Sequence, residues 1–218
     1  MRAGKLVALA SIALASACPA GGQGSTSWLL TGTARMEGDG VILTDSVGGT
    51  GSAWSLDSID ATFPFRMRFT CFFGGGEEPR GGRTSLLFAQ SPIDPGDIPV
   101  TEYAGIEVRT DGPEQREDSI ALILGGRDGV ARTVQVLPAG NLDNGLVHSL
   151  SISWDPERGR LFVWLDGMEE PVLASFERDF FSRRFPDPNA LRWGFCGSTG
   201  SPGGMQWFRP DTSWVSGE

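Results

Sequence analysis

Glu107 and Arg109 stand two apart in the run Ile106-Glu107-Val108-Arg109-Thr110, and on a strand that spacing puts both side chains on one face. A carboxylate and a guanidinium so placed can form an ion pair. The alternative is that Arg109 points to solvent. Downstream come Asp111, Glu114, Glu117 and Asp118, a cluster of the oxygen ligands that hard cations prefer. Glu107, Asp111 and Asp118 are the residual metal candidates, and the positive charge of Arg109 opposes a dication beside Glu107. No cofactor is expected, with calcium the one ion the acidic cluster leaves open. The seven tryptophans offer aromatic faces of the kind that stack on the apolar faces of sugars. Trp154 continues the face of Leu150 and Ile152 and reads as core. Trp164 shares a face with Phe162, opposite Leu161, Val163 and Leu165, which fits a platform on an exposed sheet or a strand buried on both sides. The single histidine, His148, opens a strand, where packing or a hydrogen bond explains it better than catalysis. No serine lies in a G-x-S-x-G elbow, which argues against a serine triad. One histidine and no clustered cysteines argue against zinc.

The elements that would carry these residues are strands. Glycine (31) and proline (14) are abundant, helical periodicity is nearly absent, and short alternating runs recur between turn clusters, which is the pattern of an all-β sandwich. The clearest strand is Phe63 to Phe73, with Phe63, Phe65, Met67, Phe69, Cys71 and Phe73 on one face and Arg66, Arg68 and Thr70 on the other. Further strands are expected at 40–44, 85–89, 105–110, 119–124, 133–137, 148–154 and 161–165, the last two joined as a hairpin through Asp155-Pro156-Glu157-Arg158-Gly159. Ala174 to Arg184 reads as a short helical or irregular crossing.

The chain opens with Met1, Arg2 and Lys5, then a short apolar run from Leu6 to Ala15, the pattern of an export signal over residues 1–17. That run is too short to span a bilayer as a helix. Ala15-Ser16-Ala17-Cys18 satisfies both an ordinary signal-peptidase site and a variant bacterial lipobox. The small residues that follow, within 18–26, read as a tether behind a lipidated Cys18. The chain thus resembles an exported bacterial lipoprotein of the outer membrane or cell surface, with a periplasmic or secreted protein as the alternative and membrane contact through the N-terminal lipid only. One domain over 27–218 remains, large enough to bury roughly 70% of its unfolded surface. The net charge of −9 argues against nucleic acid as the main ligand and is compatible with neutral glycans. Cys71 and Cys196 remain as an even pair in an oxidising compartment, which suggests a disulfide; two unrelated buried thiols are the alternative.

Leu191 to Gly200, LRWGFCGSTG, runs an alternating apolar strand into a Gly-Ser-Thr-Gly turn. Together with WLLTGTA at Trp28–Ala34, GSAW at 51–54, the 63–69 strand, GIEV at 105–108 and the hairpin block from Gly145 to Gly167, it resembles the legume-type (L-type) lectins in order and spacing. The resemblance implies a two-sheet antiparallel jelly-roll sandwich, concanavalin A-like, acting as a carbohydrate-binding or surface-interaction module without catalysis. Its partner would be a glycan or cell-surface component. In that family a calcium and a transition metal hold the sugar-binding loops, and the metal strand reads V-E-F-D-T, then Asn and Asp, then His. Here Glu107 keeps its place, Arg109 stands for the bridging Asp and Ser119 for the His. An Arg109–Glu107 ion pair is therefore expected in the space of the metal pair. The family's sugar-orienting Asp aligns with Thr84. Asp94, Asp97 and Tyr103 precede GIEV, where the family places a sugar-contacting loop, so Asp97, Tyr103 and Trp164 are the carbohydrate-binding candidates. The alternatives are a structural or adhesive sandwich that no longer binds sugar and a divergent glycoside-active enzyme. Glucanase-like relatives of the fold use two carboxylates on one strand face, and Glu107-Val108-Arg109 has only the first.

Overall fold

A computed structural model describes residues 13–15, 27–74, 82–93, 102–110, 117–126, 130–200, 203–211 and 215–216. The strands are β1 (Ala13–Ala15), β2 (Trp28–Gly32), β3 (Arg35–Glu37), β4 (Gly40–Thr44), β5 (Thr50–Ile59), β6 (Phe65–Phe72), β7 (Gly82–Ala89) and β8 (Tyr103–Thr110). They continue with β9 (Asp118–Gly125), β10 (Ala131–Gly140), β11 (His148–Asp155), β12 (Arg160–Leu165), β13 (Leu173–Phe176), β14 (Leu191–Thr199), β15 (Gln206–Pro210) and β16 (Val215–Ser216). A single 3-10 turn, Pro188–Ala190, is the one helical element among the described residues.

Two antiparallel sheets form the expected sandwich. The first runs β1-β2-β5-β14-β7-β8-β9-β10; the second runs β13-β12-β11-β6-β15-β4-β3, with β16 also paired to β6. Alternation explains the packing. In β6, Phe65, Met67, Phe69 and Cys71 are buried between the sheets while Arg66 and Arg68 are exposed on the outside. Across the gap, Trp193 and Phe195 of β14 face them: the Phe69 ring lies 4.9 Å from Phe195 and 5.6 Å from Trp193, tilted or edge-on, as aromatic quadrupoles prefer. The β11–β12 hairpin forms as expected, in register from Leu150–Leu165 to Asp155–Arg160. The Asp155 carboxylate closes its turn by accepting from Arg158 N at 3.0 Å. Gly159 has φ +61, and a Cβ there would collide with the Arg178 backbone, so the turn requires glycine.

Three expectations need correction. Phe63 does not extend the 63–73 strand. It is 59% exposed, because Pro64 has no N–H for the ladder and the Asp60 carboxylate draws Thr62 into a turn, accepting from Thr62 N at 2.9 Å. The 174–184 crossing opens as a strand, β13, and only then irregularises into turns, with Phe180, Phe181 and Phe185 all buried against the core.

The third concerns the cysteines. Cys71 and Cys196 are thiols, not a disulfide. Cys71 lies between the sheets, whereas Cys196 alternates out of phase with Trp193 and Phe195 and packs on the outer face of the first sheet. The sheet itself stands between the two sulfurs, so no rotamer brings them to bonding distance. Burial, and secondarily Asp166, pushes the Cys71 thiol far above the ordinary thiol range. Alkylation of the native protein is therefore expected to spare Cys71, and alkylation after unfolding without reductant to label both positions. A mass two hydrogens lighter, with neither position labelled, would restore the disulfide.

Candidate functional site

The outer face of the first sheet is where Glu107 and Arg109 emerge. Cross-strand register lays its side chains out in rows. One row passes through Thr31, Ser52, Cys196, Ser85, Glu107 and Ala121. The next, one pleat away, passes through Leu29, Trp54, Gly194, Leu87, Gly105 and Ile123.

The first row is polar. Arg109 Nε donates to Glu107 Oε1 at 2.5 Å, so the expected ion pair forms along one strand face. Ser85 Oγ, directly opposite Glu107, donates to Oε2 at 3.4 Å, and Arg109 Nη2 reaches over β9 to Thr133 Oγ1 at 2.9 Å. Both oxygens of the acid are therefore engaged, and its side chain is only 11% exposed. At the far end of the row Thr31 and Ser52 share a 2.8 Å hydroxyl contact.

The second row is apolar and forms a small core of its own. Trp54, fully buried, lies over Gly194 and donates from Nε1 to Ile93 O at 2.9 Å. A Cβ at Gly194 would fall 2.7 Å from the indole and 2.5 Å from Ala53 O, so glycine makes the room. Tyr103 uses Gly125 in the same way, its ring lying directly on the glycine that pairs with it. Leu87, Ala89, Ile93, Ala121 and Ile123 complete this cluster.

Tyr103 is thus a packed aromatic, 7% exposed, next to the Glu107 and Cys196 of the polar row. Burial, then the neighbouring Glu107 and Cys196, raises its phenol above the ordinary value. A raised folded value means stability that is complete below the unfolded tyrosine value, about 10, and lost as pH rises through the folded one. It is the only tyrosine in the chain, so tyrosinate absorbance reports it alone. The titration midpoint of the folded protein is expected above that of the urea-unfolded chain; equal midpoints would contradict the burial.

The remaining candidates do not converge. Asp118 turns away from Glu107: its carboxylate accepts from Leu142 N at 2.5 Å and Asp143 N at 3.2 Å, bracing the loop before β11. Asp111, Asp94, Asp97 and Cys18 lie outside the described residues. Among the described residues no three His, Cys, Asp or Glu side chains gather into a metal-sized group. Thr84 faces inward between the sheets, buried, with no hydrogen-bond partner for Oγ1. It occupies core space. Trp164 emerges on the outer face of the other sheet, the thickness of the sandwich away from Tyr103. His148 is buried on Phe73, with Nδ1 2.8 Å from Asp166 Oδ2 and Nε2 3.2 Å from Asn144 Oδ1, a hydrogen-bonding role as expected. Sequence reasoning missed Ser85 and Thr133 as partners of the ion pair, and Trp54 and Ile93 as a lid on the face. The glycines at 105, 125 and 194 were the available signal, since glycine within a strand marks close approach.

Comparison with solved structures places this architecture. The basic winged bean lectin, solved with Tn-antigen, is similar at TM-score 0.65 and 15% identity, over 85% of this chain and 89% of that one. The exoplasmic/lumenal domain of VIP36, in its Ca2+/Man3GlcNAc-bound form, gives 0.63 and 16%, over 84% and 81%. The metal-free carbohydrate recognition domain of Emp46p gives 0.63 and 13%, over 84% and 85%. No family model matches the sequence. The fold is legume-lectin-like, an all-β sandwich of two antiparallel sheets.

Proposed function

We propose that this chain is an exported carbohydrate-binding module without catalysis, in which the Arg109–Glu107 pair does the structural work that a metal pair does in the lectins it resembles. The observation that carries this is the pair itself, on the outer face of a legume-lectin-like sheet and joined to two further strands, β7 and β10, through Ser85 and Thr133. A dication does not fit beside Glu107. One carboxylate oxygen is held by a guanidinium, the other faces a serine, and the position two residues on that should supply a second carboxylate supplies a positive charge. The same substitution removes the second acid that a retaining or inverting glycosidase needs.

A glycan array probed with and without a chelator tests the reading. Binding that persists in chelator is expected; failure to bind any glycan overturns the function, and unit-stoichiometry calcium binding lost on Glu107→Ala overturns the metal-free site. A second reading, an adhesive sandwich without sugar binding, draws support from the apolar cluster of Trp54, Leu87, Ile93 and Tyr103, which fills part of the outer face. For export, lipidation at Cys18 is the working proposal. Its test is detergent-phase partitioning of the expressed protein, which Cys18→Ser should abolish.

A further inference from the structure

The outer face of the second sheet carries a trough that the ion-pair site does not use. Its floor is β11, whose outward residues are Ser149, Ser151 and Ser153, half-buried, with no protein partner for any of the three hydroxyls among the described residues. On one side rises β12 with Phe162 and Trp164; on the other rises β6 with Arg66 and with Arg68, whose Nε is paired to Asp211 Oδ2 at 3.3 Å. Register sets them abreast: Arg66–Ser153–Phe162 in one line and Arg68–Ser151–Trp164 in the next. The two walls are two strand spacings apart at the backbone, about 10 Å, and the Arg66 side chain reaches across the floor between them to the Trp164 ring.

The wall chemistry is specific. The Arg66 guanidinium stands 5.8 Å from the Trp164 ring, a cation–π contact, and has no carboxylate partner among the described residues. Phe176 extends the aromatic wall, 71% exposed and edge-on to Phe162 at 5.8 Å. Beside it on the neighbouring strand stands Arg160, exposed and also without a carboxylate partner among the described residues. In a chain of net charge −9, Arg66 and Arg160, without an ion-pair partner among the described residues and set beside partly exposed aromatic rings, mark a place for an anionic partner. The face of a sheet offers no spare backbone groups, since they are spent in the ladder, so an acidic peptide could not add as a strand here. An acidic saccharide matches each part: ring faces for Phe162 and Trp164, hydroxyls for the serines, carboxylates for the guanidinium forks.

We infer that this trough binds an acidic oligosaccharide of the uronic acid class, as a site separate from the Arg109–Glu107 face; the inference rests on the carbohydrate-binding reading. The test is calorimetric titration of the full chain with a short oligogalacturonate, with its neutral methyl ester, and with a neutral gluco-oligosaccharide, at low and at physiological salt. The acidic oligomer is expected to bind most tightly, to weaken with salt, and to lose about tenfold in affinity in each of Trp164→Ala and Arg66→Gln, the size of one stacking or cation–π contact. Both side chains are partly exposed, and thermal melts of the two variants confirm folding. Glycan binding unchanged in both variants, or no preference for the acidic oligomer, overturns the trough while the carbohydrate reading stands. Binding to no glycan at all removes both. Self-association abolished by Trp164→Ala, with glycan affinity intact, assigns the face to a second copy and also overturns the inference.

Discussion

Replacing Arg109 by alanine is expected to lower the unfolding free energy by about 2 kcal/mol, more than a surface charge normally contributes. Breaking a fully buried ion pair costs about 3–5 kcal/mol because the surviving charge stays desolvated and alone. Here the carboxylate is well covered but the Arg109 side chain is 23% exposed, so water screens part of the effect. For a domain of this size the loss lowers Tm by about 4–8 °C. Glu107→Gln combined with Arg109→Ala is expected to recover much of it, since no uncompensated charge remains. Urea unfolding of the two single variants and the double one gives the coupling. A double variant as unstable as the sum of the singles would mean that the pair contributes nothing as a pair.

Phe69→Ala is expected to destabilise further, by about 3–5 kcal/mol, the usual range for removing a buried aromatic ring. Phe69 is 1% exposed and stands where the two sheets meet, against Trp193, Phe195 and Phe208 at 5.6, 4.9 and 6.4 Å. Rigid rings on three sides leave little scope for collapse into the cavity. Phe176→Ala provides the contrast, because that ring is largely in water and its loss is expected to stay within about 0.5 kcal/mol. Thermal and denaturant melts of the two variants decide the matter, and similar losses would contradict the assignment of core and surface.

The sandwich was legible where alternation is clean. The Phe65–Phe72 strand shows which residues bury and which do not, because burial alternates along it. The hairpin of 148–165 was legible because Asp155 and Gly159 each have a local turn chemistry. Legibility ended where a strand is apolar on both faces. Leu86, Leu87, Phe88 and Ala89 are all buried, so period alone says nothing of which faces the main core and which the small outer cluster. The cysteine pairing failed for a related reason. Cys71 and Cys196 each belong to an alternating strand, but only the placement of both strands in their separate sheets reveals that one faces the core and the other the outside. The ion pair was legible because it is local, two residues apart on one strand. The trough was not, because its walls come from β6 and β12 and its floor from β11, and nothing in the order of residues announces that Arg66 and Trp164 meet.

The strand order has a consequence in time. β5, residues 50–59, lies between β2 and β14, and β14 begins only at residue 191; β6 likewise waits for β11 and for β15, beyond residue 205. Neither sheet can close until nearly the entire polypeptide exists, since its central pairings join the first third of the chain to the last. Such non-local pairing folds in milliseconds to seconds, where helical bundles take microseconds. A nascent chain of this kind therefore stays open during synthesis. That delay leaves the phenylalanine-rich 63–73 segment without its strand partners until the last third of the chain has been made.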